Sequence, residues 1–411
     1  MLALACAPAA SAKPSRGPCT PGVGTKCLVW NAKVTAVDDG DTIDVDIAGD
    51  GSPRRFHVRM TGIDAAELTV YSRDPHKRRG VCHGLEATAA LERMIKRSRN
   101  RVRLTAQRAS SRSGPRRLRR RVLVRSGGRW VDANLALLRA GHALYLPNRT
   151  EGAGAAEYSL ASQEAAARGI GLFDTSYCGA GPEPNAQLRV HVKWDADGTD
   201  GHNVNGEWIE VRNMDQANPV AVGGWSLGDS VHIDRVKLPP GTVIPAGGRI
   251  RLHAGHGQND GNDFFWGFDT AHFEPDGEGG YLFDPQGDLR AWMQYPCRVG
   301  CTDPAIGSLR VSASPQRPEY VLVRNAGSTT FDLADYILWL PFHQYEFETG
   351  STLAPGETLR LDILGDPGND TRLHRYYGYG GYMLADRGDR VLLRNYRDVT
   401  VACDAWGNFS C

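Results

Sequence analysis

Apolar and polar residues follow regular patterns through the first 178 residues. Residues 28–49 alternate around a turn at Asp39-Gly40, the two-residue period of strands. Apolar residues recur at helical spacing in 84–97, which predicts a helix. Further strands are predicted at 56–60, 101–106 and 119–125, and further helices at 131–140 and 156–168. Strands interleaved with helices in this order are typical of a small closed barrel.

The pattern changes after residue 178. Residues 179–186 are rich in Gly and Pro, which indicates a linker. Beyond it, short strands alternate with Pro- and Gly-rich turns, as in all-β sandwiches. Residues 207–213 (EWIEVRN) recur as 319–325 (EYVLVRN), a separation of about 110 residues, which is the size of one sandwich domain. We therefore predict two tandem domains, at 187–296 and 303–411.

The net charge of +1 is the sum of two opposite halves. Residues 1–178 contain 29 Lys and Arg against 16 Asp and Glu, a net of +13, whereas residues 179–411 contain 19 against 31, a net of −12. Residues 93–125 hold fourteen basic side chains and no acidic one. The basic half indicates an acidic partner, most simply nucleic acid bound along a groove. We interpret the acidic half as a spacer or anchor that leaves this groove free.

The N-terminus indicates export. Residues 1–12 are apolar and end in an ASA cleavage pattern, which predicts a signal peptide, although the basic start of such a signal is missing. Residues 4–6 (LAC) also resemble a lipoprotein box, so both free secretion and lipid anchoring stay open. No run of eighteen apolar residues exists, so no transmembrane segment is predicted.

Eight cysteines follow residue 12, and an even number in an exported protein indicates disulfides. Proximity in the sequence suggests four pairs, with a zinc site as the alternative at Cys297 and Cys301. The pairs are Cys19 with Cys27, Cys297 with Cys301, Cys403 with Cys411 and, by remainder, Cys82 with Cys178.

Candidate chemistry lies in two short motifs, residues 39–42 (DGDT) and 59–67 (RMTGIDAAE). Their separated carboxylates, Asp41 and Asp64, can chelate a hard cation such as calcium. Arg59 can face a phosphate bidentately. A second arginine is then needed, and residues 116–125 offer several.

Together these motifs resemble the staphylococcal nuclease, or thermonuclease, family. Residues 84–87 (GLEA), 128–135 (GRWVDANL) and 169–173 (GIGLF) match the family as well. The resemblance covers about residues 28–175. It implies an OB-fold barrel with helices in a domain at 28–178, a calcium cofactor, and endonucleolytic cleavage of DNA and RNA to 3′-phosphate ends.

The resemblance also implies residue roles. Asp41 and Asp64, with the main-chain carbonyl of Ala65, bind calcium. Glu67 holds or activates the attacking water. Asp39 orients the metal ligands.

Two arginines complete the implied site. Arg59 and Arg119 neutralise the charge of the transition state, as in-line attack on a phosphodiester requires. Counting back from Gly128 selects Arg119, and a slip of one residue would select Arg120.

Residues 194–211 (WDADGTDGHNVNGEWIEV) and 224–229 (GWSLGD) resemble lamin-tail domains, which are Ig-like sandwiches. The resemblance is good for 187–296 and more divergent for 303–411. It implies binding or scaffolding modules of the kind that accompany exported bacterial nucleases. The predicted fold is therefore an α+β OB-fold barrel followed by two all-β Ig-like sandwiches.

We expect a secreted or cell-surface calcium-dependent endonuclease that acts on DNA and RNA. The alternative is a catalytically weak nucleic-acid-binding protein, or a cell-surface adhesion protein that uses its sandwiches to associate with the cell envelope.

Overall fold

The computed structural model describes residues 14–411 except residues 52, 53, 116, 180 and 199. The predicted signal peptide at 1–12 lies outside the described residues. The chain divides into two compact units. The first runs to Leu188 and includes Asn213–Gly247 and Asp276–Trp292, and the second contains Arg189–Arg212, Gly248–Pro275 and Met293–Cys411.

The N-terminal part of the first unit contains twelve described strands and the α-helices. The strands are β1 (Ser15–Pro18), β2 (Lys26–Val37), β3 (Thr42–Ile47), β4 (Arg55–Met60), β5 (Ile63–Ala65), β6 (Leu68–Val70), β7 (Arg79–Gly80), β8 (Arg101–Ala106), β9 (Arg112–Gly114), β10 (Arg117–Ser126), β11 (Arg129–Asp132) and β12 (Ala143–Tyr145). The α-helices are α1 (Gly84–Arg97), α2 (Ala133–Arg139) and α3 (Ala155–Ala167).

Five of these strands close a barrel. The order is β2-β3-β4-β10-β8, and β8 pairs with β2 to complete the circle. The β4–β10 pair is parallel and the other four are antiparallel. Closure removes the free sheet edges that an open five-stranded sheet would present. The closed barrel expected from the sequence is confirmed.

Alternation along the strands fills the barrel with apolar side chains. Ile43 and Val45 on β3, Val58 on β4 and Leu104 on β8 are fully buried in one core. Helix α1 has the bounds predicted from its periodicity, and its Ala87, Leu91 and Ile95 join the same core. Four-residue spacing places these three on one helix face.

The first unit also contains strands from the C-terminal half. They are β15 (Val220–Ala221), β16 (Ser226–Gly228), β17 (Val236–Lys237), β18 (Val243–Ile244), β21 (Glu278–Phe283) and the first four residues of β22 (Leu289–Tyr295). They form a sheet in the order β17-β16-β21-β22 and a separate β15-β18 pair.

This sheet shares an apolar cluster with the barrel region. The cluster contains Leu144, Ala165, Leu172, Phe173, Tyr281, Phe283 and Leu289. The rings of Phe173 and Trp292 also meet, with centroids 5.2 Å apart. A spacer would leave these side chains in water, so the interpretation of the acidic half as a mere spacer is wrong for this part of it.

The second unit is made of β-strands. They are β13 (Leu188–Lys193), β14 (Trp208–Asn213), β19 (Arg249–His253), β20 (Asp263–Phe265), β23 (Leu309–Ser314), β24 (Tyr320–Asn325), β25 (Phe331–Asp332), β26 (Tyr336–Leu340), β27 (His343–Glu346), β28 (Thr352–Leu353), β29 (Thr358–Asp362), β30 (His374–Tyr376), β31 (Asp389–Asn395) and β32 (Thr400–Trp406). Strands β23 to β32 include two four-stranded sheets, β23-β24-β29-β30 and β27-β26-β31-β32. These two sheets share one apolar core.

The sequence repeat reappears in the strand pairing. The order β13-β14-β19-β20 corresponds to β23-β24-β29-β30, and the last pair of each sheet is parallel. The order β17-β16-β21-β22 corresponds to β27-β26-β31-β32. Asn213 and Asn325 occupy equivalent strand ends, and the side-chain amide of each donates to two main-chain carbonyls. Residues 207–213 and 319–325 are therefore equivalent strands of two repeated domains.

The four expected disulfides are present, which confirms the predicted pairs. They join Cys19 to Cys27, Cys82 to Cys178, Cys297 to Cys301 and Cys403 to Cys411. The zinc alternative at Cys297 and Cys301 is wrong, because their sulfurs bond to each other. Among the described residues, no helix has the length and apolar character that a membrane crossing requires.

Candidate active site

The turn between β2 and β3 brings the first carboxylates together. The Asp41 N–H donates to Asp39 Oδ1 (3.0 Å), and Thr42 Oγ1 donates to Asp41 Oδ1 (3.0 Å). A Cβ on Gly40 would lie 2.7 Å from the Cβ atoms of Ala65 and Ala87. Only glycine lets this turn pack against β5 and α1 so closely. Asp39 therefore fixes the main chain of the turn that carries Asp41.

Asp41 and Asp64 both contact the side chain of Arg59. The Arg59 guanidinium forms ion pairs with both, through Nη1 to Asp41 Oδ2 and Nη2 to Asp64 Oδ1. The Asp41 and Asp64 side chains are only 2% and 5% exposed. The Ala65 N–H donates to Asp41 Oδ2 (2.7 Å), so Ala65 adjoins this pair as well. Carboxylate oxygens are donors that calcium prefers, so Asp41 and Asp64 are of the right chemical type for such an ion.

Glu67 lies beside these groups at the end of β5. Burial raises the pKa of Glu67, the carboxylates of Asp39 and Asp64 raise it further, and Arg59 lowers it. The Tyr71 hydroxyl approaches Glu67 Oε2 at 3.5 Å. Tyr71, which lies four residues after Glu67, was not among the residues predicted from the sequence.

The main chain of Glu67 is fixed by the start of α1. The Val81 N–H donates to the Glu67 carbonyl (3.1 Å), and a Cβ on Gly84 would lie 2.5 Å from that oxygen. Gly84 therefore allows α1 to begin against the Glu67 backbone. This contact is a physical reason for a glycine at the start of the GLEA motif.

Strand β10 presents Arg119 to the site and Arg120 to the opposite side. Arg119 is paired with Arg59 across the parallel β4–β10 ladder, and both line one cleft. Arg120 instead donates to the carbonyls of Ser111 (2.9 Å) and Ala109 (3.0 Å). Burial lowers the pKa of Arg120 to about 10. Of the two arginines that the sequence left open, Arg119 lines the cleft and Arg120 does not, because successive side chains of a strand point to opposite faces.

Arg117 belongs to the cleft too and was not singled out from the sequence. It lies two residues before Arg119 and therefore on the same face of β10. Its Nη2 donates to Thr42 Oγ1 (2.6 Å), and Thr42 in turn contacts Asp41. Arg117 thus connects β10 to the turn that carries Asp41.

The basic stretch is not one continuous groove. Arg120 and Arg121 are only 4% and 2% exposed. Arg121 donates to the carbonyls of Glu151 and Ala153. These two arginines hold the fold together, and the interpretation of the whole stretch as a phosphate-binding surface is wrong for them.

A cleft of about 360 Å³ is lined by five of the residues described above. Arg59, Asp64, Glu67, Arg117 and Arg119 line it from the barrel region, and Leu146, Pro147 and Asn148 add a further stretch of wall. Residues 231–234 of the same compact unit also line this cleft. The main-chain N–H of His232 donates to Asp64 Oδ2 (3.1 Å).

Residues 189–297 match the family model of the lamin tail domain. This confirms the resemblance found for the first sandwich. A comparison with curated proteins finds no match. Residues 231–234, which reach the cleft, lie inside the lamin tail domain. The motifs that identified the barrel site gave no sign that this segment would join it.

Proposed function

We propose that the protein is a secreted, calcium-dependent endonuclease of the staphylococcal nuclease type that hydrolyses DNA and RNA. The observation that carries this proposal is the convergence of Asp64, Glu67, Arg59 and Arg119 at one cleft, with the buried Asp41 paired to Arg59. The parallel β4–β10 pair and the position of α1 between β4 and β8 support an OB-fold for the closed barrel.

Asp41 and Asp64 would hold the calcium ion, with the carbonyl of Ala65 as a third donor. Bound there, the ion supplies positive charge that stabilises the negative charge of the reacting phosphate. Thr42 keeps the Asp41 carboxylate in place through its hydroxyl, and Asp39 accepts from the Asp41 main-chain N–H and so holds the turn.

Glu67 holds the attacking water or takes its proton, and the water oxygen forms a bond to phosphorus. The bond from phosphorus to the 5′ oxygen breaks, the 5′ oxygen takes up a proton from solvent water to become a hydroxyl, and the phosphate stays on the 3′ side. Arg59 and Arg119 donate to the phosphate oxygens as charge accumulates on them. Arg59 must leave Asp41 and Asp64 before it can do so, because its guanidinium contacts both carboxylates.

The four disulfides support export, since such bonds persist in oxidising compartments. The repeated strand order supports a second, divergent lamin tail domain at 303–411. Association with the cell envelope through this region extends the proposal.

The test is incubation of the purified full chain with DNA and with RNA, in calcium and in chelator. We expect degradation that requires calcium and that falls by about 10³-fold or more in Glu67→Gln, since Glu67 acts on the transition state. Asp41→Ala should instead raise the calcium concentration needed. Intact nucleic acid at every calcium concentration would contradict the proposal and favour a binding protein. Rescue of Glu67→Gln, but not of Asp41→Ala, by high calcium would reverse the two assigned roles.

A further inference from the structure

The lamin tail domain contributes a wall to the cleft that contains the catalytic residues. Its residues 231–234 form a tight turn, with the Asp234 N–H donating to the Val231 carbonyl (3.2 Å). They line the same cleft as Arg59, Arg117 and Arg119. A segment at this position meets whatever the arginines bind.

The turn is firmly attached on both sides. The Val231 N–H donates to Asp229 Oδ1 (2.7 Å), and the His232 N–H donates to Asp64 Oδ2 (3.1 Å). Arg235 Nη1 lies 3.1 Å from His232 Nδ1, and the Arg235 guanidinium stacks 3.9 Å from the Phe283 ring. These contacts place the turn at the candidate metal ligand and hold it there.

The tip of the turn is apolar and exposed. Ile233 is 84% exposed, although it lies between anchored neighbours. Arginines on one part of a cleft attract phosphates, and an apolar side chain on another offers a surface for a base. Asp234 also lines this wall, and Arg117 and Arg119 line the same cleft.

We propose that residues 231–234 are the substrate-selecting wall of the nuclease and that Ile233 packs against a base of an unpaired strand. The Arg59 side chain is only 12% exposed, so a phosphate has to enter the cleft to reach it. A single strand can turn its bases outward to do this, whereas a duplex must first unpair, which costs a few kcal/mol. The lamin tail domain thus takes part in substrate choice, an inference that rests on the proposed nuclease function.

The test uses Ile233→Ala in the full chain, with Ile306→Ala as the matched control. Ile306 is also exposed but does not line the cleft. The side chain of Ile233 is mostly in water, so its loss leaves the fold intact. Binding is measured by fluorescence anisotropy with a labelled single strand of about twelve nucleotides. A Glu67→Gln background, with calcium present, prevents cleavage of this probe.

We expect Ile233→Ala to weaken single-strand binding about fivefold, from the usual contribution of one base contact, and Ile306→Ala to leave it unchanged. With Glu67 intact, the ratio of kcat/KM for single strand over duplex should fall by a similar factor in Ile233→Ala. If calcium-dependent cleavage occurs and Ile233→Ala changes neither single-strand binding nor the kcat/KM ratio, the substrate-selecting role of residues 231–234 is wrong. The nuclease proposal is then unaffected.

Other outcomes separate the two proposals. If Ile233→Ala weakens single-strand binding but the protein cleaves no nucleic acid, the nuclease function is wrong. The contact of Ile233 with a base is then supported. Equal gains in activity on single strand and duplex would identify the turn as an inhibitory lid and overturn its role in selection. Absence of both cleavage and single-strand binding would overturn both.

Discussion

Arg59 contacts the two carboxylates that the proposed calcium ion would need. Because the Arg59 guanidinium is paired with Asp41 and Asp64, it competes with a metal ion for them. Arg59→Ala should therefore lower turnover by about 10³-fold, as loss of a transition-state arginine does, and yet tighten calcium binding. Calorimetry with calcium and initial-rate kinetics measure the two effects.

Arg55→Ala is the control for this variant, since Arg55 lies on the same strand with an exposed side chain. It should change neither quantity. Weaker calcium binding in Arg59→Ala would mean that Arg59 supports the metal site instead of competing for it.

Arg119 and Arg120 are neighbours with opposite expected phenotypes. Arg119→Ala should lower kcat/KM by about 10²-fold or more with an unchanged melting temperature, because its side chain lines the cleft. Arg120→Ala should lower the free energy of unfolding by about 1–3 kcal/mol, because it leaves the carbonyls of Ser111 and Ala109 without their buried donor. Thermal melts and initial-rate kinetics on both variants measure the loss of stability and the loss of activity separately. Identical losses of activity at unchanged stability would contradict the assigned faces of β10.

At the scale of elements, helix α1 positions Glu67. A Cβ at Gly84 would meet the Glu67 carbonyl at 2.5 Å, so Gly84→Ala must push α1 and the Glu67 backbone apart. We expect a loss of about 1–3 kcal/mol in unfolding free energy, as for other overpacked sites, and a reduced kcat. Gly24→Ala, at a glycine whose added Cβ meets nothing within 4 Å, is the control. Full activity in Gly84→Ala would show that Glu67 tolerates the shift.

At the scale of the whole molecule, strands of the lamin tail domain bury apolar side chains of the barrel region. Leu144, Leu172 and Phe173 are buried in a cluster with Tyr281 and Phe283. A protein that ends at residue 179 exposes these side chains and loses the His232 N–H to Asp64.

This truncated protein should therefore melt at a lower temperature, bind a hydrophobic dye such as ANS, and cleave more slowly than the full chain. The control is the full chain nicked after Asn185 without removal of the C-terminal part, which keeps the contacts. Equal melting temperature and activity in the truncated protein would restore the spacer interpretation.

Asp288 makes this packing depend on pH. It is fully buried, and burial together with Asp284 raises the pKa of Asp288 to about 6, although the Cys178 N–H (3.3 Å) lowers it. The folded protein then binds a proton more tightly than the unfolded chain, whose Asp has a pKa of about 3.9. The stability from this group is fully present below about pH 4 and is lost as the pH rises through 6.

Asp288→Asn cannot ionise, so its melting temperature relative to the unaltered protein should rise between pH 4 and pH 7. Melting curves across this range, without calcium, measure the difference. A difference that stays constant with pH would mean that Asp288 does not titrate in this interval.

Local sequence patterns predicted much of the architecture. Periodicity predicted α1 with its observed bounds, and alternation predicted β3, β4 and β8 within a few residues. The order of strands and helices was sufficient for a closed barrel, because few topologies bury such a set of elements. The recurrence of residues 207–213 at 319–325 was sufficient for two repeated domains.

The candidate site was accessible from the sequence because its residues lie in short motifs. Asp41 lies in the turn between β2 and β3, Asp64 lies on β5, and Glu67 follows β5 by two residues. The choice between Arg119 and Arg120 was not accessible, because a one-residue shift of the strand register reverses the face of every side chain. Pairing of β10 with β4 decides it.

The sequence by itself predicted the main elements and the motif residues, since these depend on local spacing or residue type, and it only suggested the disulfide pairs, because Cys82 and Cys178 lie 96 residues apart. Only the tertiary structure placed Arg117 at the cleft and Arg120 beneath the surface. Only the tertiary structure brought His232 and Ile233 to a site more than 160 residues earlier in the chain, through the contact of His232 with Asp64. Such a contact leaves no periodic signal, because it depends on which apolar surfaces of two distant segments fit together.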